Sequence, residues 1–344
     1  MVDTKINLCG IELDNPVIPA SGTFGYGYEF AELYDINCLG TFSFKGTTLE
    51  ERFGNPTPRI AECASGMLNA VGLQNPGVKK VVSEELPRLK KVFHKKVMAN
   101  VSGFGIDEYV EVCRILDKEE QVGWLEVNVS CPNVHGGGLS FGTDAKTAAA
   151  VTAAVKKATT KPVIIKLSPN VTDITEIARA VEDAGADGVS LINTLVGMRL
   201  DLRTKKPVIK NVTGGLSGPA VFPVALNMVY KTSKAVKIPV VGMGGVSSAE
   251  DVLEMILAGA PAVEVNCVTA ISKGRVPSGR VNPSSAAFII ATVPAACRLQ
   301  ISAPSPDSTA MLFFTVLGIS CSLRSKNTLC PLFLSSRTMS GPAE

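Results

Sequence analysis

The chain has 344 residues, 46% of them hydrophobic and 19% charged, a globular balance that excludes a disordered protein. A net charge of +3 with no basic run gives no footing for nucleic acid or an anionic membrane surface. The length suits one large domain or two ordinary ones, and α/β barrels often run to about 200 residues or more as a single domain.

In chain order, a short polar-flanked strand opens the sequence, and a regular alternation then runs from Asn15 to about Val265. Short β-rich apolar runs recur at 16–20, 41–44, 97–101, 125–129, 163–167, 188–192, 238–242 and 262–265. Helix-like stretches lie between most of them, at 107–118, 144–159, 173–184, 222–235 and 248–258. The last has clear ends: Ser247 or Ser248 can N-cap it, Glu250 and Asp251 suit its first turn, and Gly259 stops it. Strands alternating with helices imply a parallel sheet, and the count favours an α/β fold closed as a (β/α)8 TIM barrel over an open doubly wound sheet.

After Val265 the composition changes. Only Asp307 and Glu344 are acidic, serine and proline crowd the segment, and helical periodicity fades. The apolar run Met311–Ile319 is too short for a membrane span, which needs roughly 20 residues. The expected division is a barrel over 1–265 and a divergent tail over 266–344. That tail offers no amphipathic helix to cover strands eight and one.

Active sites of such barrels are built at the C-terminal ends of the strands. Here those ends carry Ser21, Lys45-Gly46, Asn100, Asn128, Lys166, Asn193-Thr194 and Gly244-Gly245. Asparagine offers both donor and acceptor, matching a ring with alternating C=O and N–H groups. Lys45 and Lys166 supply positive charge for a carboxylate or an anionic reduced ring. Gly244-Gly245 lets the backbone approach a phosphate after strand seven, and the helix opening at Ser248 aims its N-terminus the same way. Gly214–Pro219 reads as a glycine-rich turn ahead of a helix, by itself a mere loop.

Between strands two and three, the blocks 52–59 and 65–77 are dense in Asn, Pro and Gly, which make defined turns. A long connection of this kind is usually functional, so Asn69 and the backbone of Ala70, Val71, Gly72 and Leu73 are candidates for a pocket wall. Past strand four, Val127–Asn133 sets Cys131 beside two carboxamides. The thiol is either a proton-transfer group or a small buried hydrophobe. The nine cysteines include no CxxC pair, which argues against a zinc or iron–sulfur site within this chain. With no signal-peptide pattern at the start, reduced thiols in a cytoplasm are expected.

Together these blocks resemble dihydroorotate dehydrogenase, specifically the catalytic subunit of its NAD-linked class (class 1B). The motifs are 19–25, 45–48, 54–59, 65–77, 128–133, 166–173, 190–194, 211–219 and 242–245, so the resemblance covers roughly residues 5–265. It implies an FMN-dependent barrel that oxidises dihydroorotate to orotate in pyrimidine synthesis. On that likeness Cys131 is the catalytic base, assisted by Lys45. Lys45, Asn69, Asn128, Asn193 and Thr194 hold the substrate, with Asn69 to Leu73 as loop wall. FMN meets Ser21, Lys45, Gly46, Asn100, Asn128, Lys166, Ile192, Gly218, Gly244 and Gly245. A partner subunit carrying FAD and an iron–sulfur cluster, a homodimer within a heterotetramer, and no metal on this chain are implied as well. The chain departs from the family after strand eight, where Asn266-Cys267 stands in place of Gly-Thr or Gly-Ala. Other readings are a fumarate-linked or pyrimidine-reducing flavoenzyme, or a non-catalytic product with a disrupted C-terminus.

Overall fold

A computed structural model describes residues 3–130 and 141–265. Cys131, Asn266, Cys267 and the tail therefore lie outside the described residues. One eight-stranded sheet organises the molecule. Its strands are β1 (Val17–Pro19), β2 (Ser43–Thr47), β3 (Val97–Val101) and β4 (Val122–Asn128). They continue with β5 (Val163–Lys166), β6 (Gly188–Leu191), β7 (Val240–Met243) and β8 (Ala262–Val265).

Every pairing is parallel, in the order β1-β8-β7-β6-β5-β4-β3-β2. Strands adjacent in the chain are adjacent in space, and β8 returns to β1, which is the cyclic order of a (β/α)8 barrel. The two ends of that order, β1 and β2, meet through loops and aromatic packing. Lys45 N–H donates to the Gly25 carbonyl at 2.8 Å, and Phe24 packs edge-on against Phe42 with ring centroids 4.9 Å apart. Such ring pairs each contribute about 0.5–1.5 kcal/mol beyond their burial.

The helices that cover the barrel form where apolar stripes and caps coincide. They are α1 (Ile106–Asp117), α2 (Ala145–Ala158), α3 (Ile174–Asp183), α4 (Phe222–Ala235) and α5 (Ala249–Leu257). In α3 the buried residues Ile174, Ile177, Ala178 and Val181 fall at i, i+3, i+4 and i+7, one face against the sheet. Its N-cap Asp173 accepts from Thr175 N, and Asp144 caps α2 in the same manner from Thr147 N. Of the two serines proposed for α5, Ser248 is the N-cap, in a capping box with Asp251.

The barrel floor is apolar. An antiparallel hairpin, Ile6–Leu8 with Ile11–Leu13, closes it. Its Leu8 and Leu13 pack with Ile18, Met98, Trp124, Ile164, Val241 and Ala262 from the strands. Trp124 is fully buried, and its Nε1 donates to the Leu8 carbonyl at 3.0 Å, so the one polar atom of that ring is satisfied.

Two sequence expectations change. Gly214–Pro219 is not a turn: Thr213–Ser217 is a strand in a second, antiparallel sheet, ordered Leu195–Met198, Thr213–Ser217, Gly66–Asn69, Ile60–Cys63. Its glycines permit close contact, since a Cβ at Gly214 would lie 2.6 Å from the Asn69 carbonyl oxygen, and one at Gly215 would overlap the Thr194 hydroxyl. Lys45 and Gly46 likewise lie within β2 rather than beyond its end, where the pairing with β3 shifts register. Among the described residues no helix is long and apolar enough to cross a membrane.

Candidate active site at the barrel mouth

Side chains alternate along a strand, so stepping by two from the floor keeps each position inside the barrel. On β4 the steps are Trp124, Glu126, Asn128; on β5, Ile164 and Lys166; on β3, Met98 and Asn100; on β8, Ala262 and Glu264. One step above the apolar floor the interior therefore turns ionic. Glu126 accepts from Ser43 Oγ at 2.8 Å, Asn100 Nδ2 at 2.6 Å and Ser190 Oγ at 2.8 Å. Lys166 Nζ stands 3.6 Å from Glu126 and 3.4 Å from Glu264. Burial alone would raise the Glu126 carboxyl. The Lys166 ammonium outweighs that, with hydrogen bonds from Glu264, Asn100 and Ser190, and holds it well below the usual carboxylate range. Burial works against the Lys166 charge too, and the two carboxyls overcome it, raising the ammonium above its ordinary value.

Above this layer a cavity of ≈ 330 Å³ opens between the strand ends and the antiparallel sheet, at the lower end of the volumes typical of small-molecule sites. It gathers residues from distant parts of the chain: Ser21, Lys45, Gly46, Asn69, Val71, Gly72, Leu73, Asn100, Asn128, Lys166, Ile192, Asn193, Thr194 and Gly244. Every one of these is a site residue expected from sequence.

Asn128 has a settled orientation. Its Oδ1 accepts from Ser130 N at 3.2 Å, Ser130 Oγ at 3.0 Å and Asn193 Nδ2 at 3.2 Å. These bonds engage the carbonyl end, leaving the amide NH2 as the end that can serve a ligand. Asn193 is anchored within the protein: its Nδ2 also donates to Ser130 Oγ at 2.6 Å, and its Oδ1 accepts from Thr194 N at 2.8 Å. It orients Asn128 and Ser130 and, as the sequence suggested, also lines the cavity.

Three expected residues among those described stand apart from the cavity wall. Ala70 is fully buried behind it, its N–H donating to the Arg59 carbonyl at 2.7 Å. Gly218 and Gly245 pack against each other, such that a Cβ at Gly245 would come 2.7 Å from the Gly218 oxygen. Gly244 and Gly245 both hold positive φ, 120° and 71°, which only glycine adopts readily. Cys131 lies outside the described residues; the strand leading to it ends at Asn128, with Ser130 fixed as above.

The N-terminus of α5 is served by its own acid. The Asp251 carboxylate accepts from Ser247 N at 2.6 Å, Ser247 Oγ at 2.9 Å and Ser248 N at 3.0 Å.

Sequence reasoning missed the wall supplied by Ile60, Met67, Leu216 and Ser217. It also missed Glu126 and Glu264 inside the barrel. The signal for the last two was present: a lone carboxylate at an inward position of an otherwise apolar strand.

A parallel eight-stranded barrel with lysines and carboxamides converging on one cavity at its C-terminal face defines the class: an α/β-barrel enzyme acting on a small polar molecule. A profile of the dihydroorotate dehydrogenase family matches residues 3–278. The chain belongs to that family of oxidoreductases. It is 59% identical over 261 residues to the dihydroorotate dehydrogenase B (NAD(+)) catalytic subunit of Bacillus pumilus, covering 76% of this chain and 84% of that one. It is 54% identical over 268 residues to the protein of the same name from Malacoplasma penetrans, covering 78% and 87%. A crystal structure of a DHODH from Eimeria tenella in complex with ferulenol superposes with a TM-score of 0.62 at 21% identity, over 76% of this chain and 78% of that one. At that identity the likeness speaks for the fold.

Proposed function

We propose that this chain is the catalytic subunit of an NAD-linked dihydroorotate dehydrogenase, oxidising dihydroorotate to orotate with FMN in the synthesis of UMP. The observation that carries this reading is the convergence of Lys45, Asn69, Asn100, Asn128 and Lys166 on one cavity, in a chain more than half identical to catalytic subunits of that name.

The residues present fit a flavin. Lys166 brings an ammonium to the cavity floor, Asn128 turns a free amide toward it, and the positive-φ pair Gly244-Gly245 keeps side chains off the rim where a phosphate would lie. Ser21, Lys45, Gly46, Asn100, Asn128, Lys166, Ile192, Gly218, Gly244 and Gly245 would hold it. When bound, FMN supplies the hydride acceptor.

The protein's part is binding, orientation and one proton. Lys45 meets the substrate carboxylate, and Asn69, Asn128, Asn193 and Thr194 hydrogen-bond its ring, with Asn193 also fixing Asn128. Val71 and Leu73 line the apolar wall that limits water. Cys131 takes the proton from ring carbon 5. A free thiol titrates near ~8.5, so turnover rises toward alkaline pH unless its surroundings lower that value. Electrons leave through a partner subunit bearing FAD and an iron–sulfur cluster.

The visible spectrum of the purified full chain tests this. Flavin bands that bleach when dihydroorotate is added without air are the expected result. A bound flavin that fails to bleach overturns the substrate. Reoxidation by fumarate, with no flavin–iron–sulfur partner co-purifying, overturns the NAD-linked acceptor.

A further inference from the structure

The Glu126–Glu264–Lys166 layer contains a mismatch. Glu126 and Glu264 are both fully buried and Lys166 nearly so. Three strands, β4, β5 and β8, thus bring two carboxyls and one ammonium together in the buried interior. Among the described residues the hydrogen-bond partners in this layer are neutral, Ser43 on β2, Asn100 on β3 and Ser190 on β6, and the register partners of Glu264, Ile18 of β1 and Met243 of β7, are apolar. With both carboxyls ionised the layer carries one net negative charge, and like charges this close in a low-dielectric interior do not both persist.

Hydrogen bonding says which carboxyl is neutral. Both oxygens of Glu126 have donors: Ser190 Oγ on Oε1, and Ser43 Oγ and Asn100 Nδ2 on Oε2. Among the described residues Glu264 has only the Lys166 ammonium, at 3.4 Å on Oε2, while its Oε1 is buried and meets no donor there. A bare carboxylate oxygen in that position is costly. A protonated Glu264 becomes a donor, and its carboxyl partner in this layer is Glu126.

We propose that Glu264 is held as the neutral acid, donating its proton to Glu126, so that the layer is electrically neutral and Glu264 is a positioning residue for Lys166 beneath the flavin site. Burial and the adjacent Glu126 charge both push the Glu264 carboxyl well above the carboxylate range, in agreement. One ammonium, one carboxylate and one acid sum to zero. The consequence for the flavin rests on the function proposed above; the protonation itself does not.

Two readouts on the full-length chain separate these. Infrared spectra at neutral pH, taken with and without flavin, are expected to show a carboxylic-acid carbonyl band that disappears in Glu264→Gln. It is expected to disappear equally in Glu126→Gln, because Glu264 then ionises against Lys166; that variant serves if the first does not fold. The midpoint potential of the bound flavin is expected to be unchanged in either single variant, since each keeps one carboxylate against one ammonium. It rises in the double variant Glu126→Gln/Glu264→Gln, where an uncompensated Lys166 favours the anionic reduced ring. A wild-type spectrum without the acid band overturns the proposal. So does a Glu264→Gln potential that rises by itself, since that means the native layer carries net negative charge. A wild-type chain that shows the acid band but takes up no flavin keeps the protonation and sinks the function.

Discussion

The floor and the mouth of this barrel are built on the same strands, two to four residues apart, and obey opposite rules. At the floor, Met98, Trp124, Ile164 and Ala262 fill space, and the single polar atom among their side chains donates to the Leu8 carbonyl. One inward step higher, Asn100, Glu126, Lys166 and Glu264 form a hydrogen-bonded ionic layer. A step above that, Asn128 faces the cavity. The apolar floor makes the polar layer possible, because it seals the barrel from the far end and lets charges act in a dry interior. The layer in turn holds Lys166 upright at the cavity bottom. Stability is concentrated below and chemistry above, with the ionic layer as the coupling between them.

The comparison breaks hardest at the floor. Trp124→Ala removes the largest fully buried side chain and abandons the Leu8 carbonyl, at an expected cost of about 3–5 kcal/mol. Denaturant unfolding should show a lower midpoint, while the molecules still folded turn over normally. Folded Trp124→Ala protein with impaired turnover at full flavin occupancy would mean the floor does more than hold the barrel shut. For the proposed base the expectation inverts. Cys131→Ala should leave flavin binding and the unfolding midpoint unchanged and lower kcat by roughly 10²–10⁴, the usual contribution of a positioned general base. Wild-type turnover in that variant removes Cys131 from the mechanism.

How far the sequence reveals this division depends on residue type. The barrel strands were readable because fully buried parallel strands are continuous apolar runs, and the helices because their caps and stripes agree, as at Asp173 and Ser248. The mouth was readable because polar residues end apolar runs, which is how Lys166, Asn128 and Gly244 were found. Three things were hidden. The antiparallel sheet escaped because its strands are short and glycine-rich and pair residues far apart, such as Asn69 with Gly215. The bonds from the Asn193 amide to Asn128 and Ser130 were hidden because spacing cannot reveal which side chains meet. Glu126 and Glu264 were absorbed into apolar runs, where a single acid is easily read past. Only the alternation of inward positions, followed strand by strand, brings the two together.

The remaining expected effect lies in the ionic layer and sharpens the comparison most, because it concerns pH and not packing. Glu126 has a depressed folded pKa, so its stabilisation is present above the ordinary 4.5 and is lost as pH falls below it. Lys166 has a raised one, so its contribution is present below the ordinary 10.5 and fades as pH rises past that. Glu264 runs the other way from Glu126. Its raised pKa means that above 4.5 the folded chain keeps a proton that the unfolded chain has released. Stability then falls with rising pH by about 1.4 kcal/mol per unit for that one proton. Below 4.5 both states hold the proton and Glu264 adds no slope. The difference in unfolding free energy between wild type and Glu264→Gln should therefore be flat in acid and drift against the wild type through neutral pH. Trp124→Ala, which titrates nothing, should be displaced from wild type by a constant amount over the same range. A pH-independent offset for Glu264→Gln as well would mean that floor and ionic layer differ in packing alone.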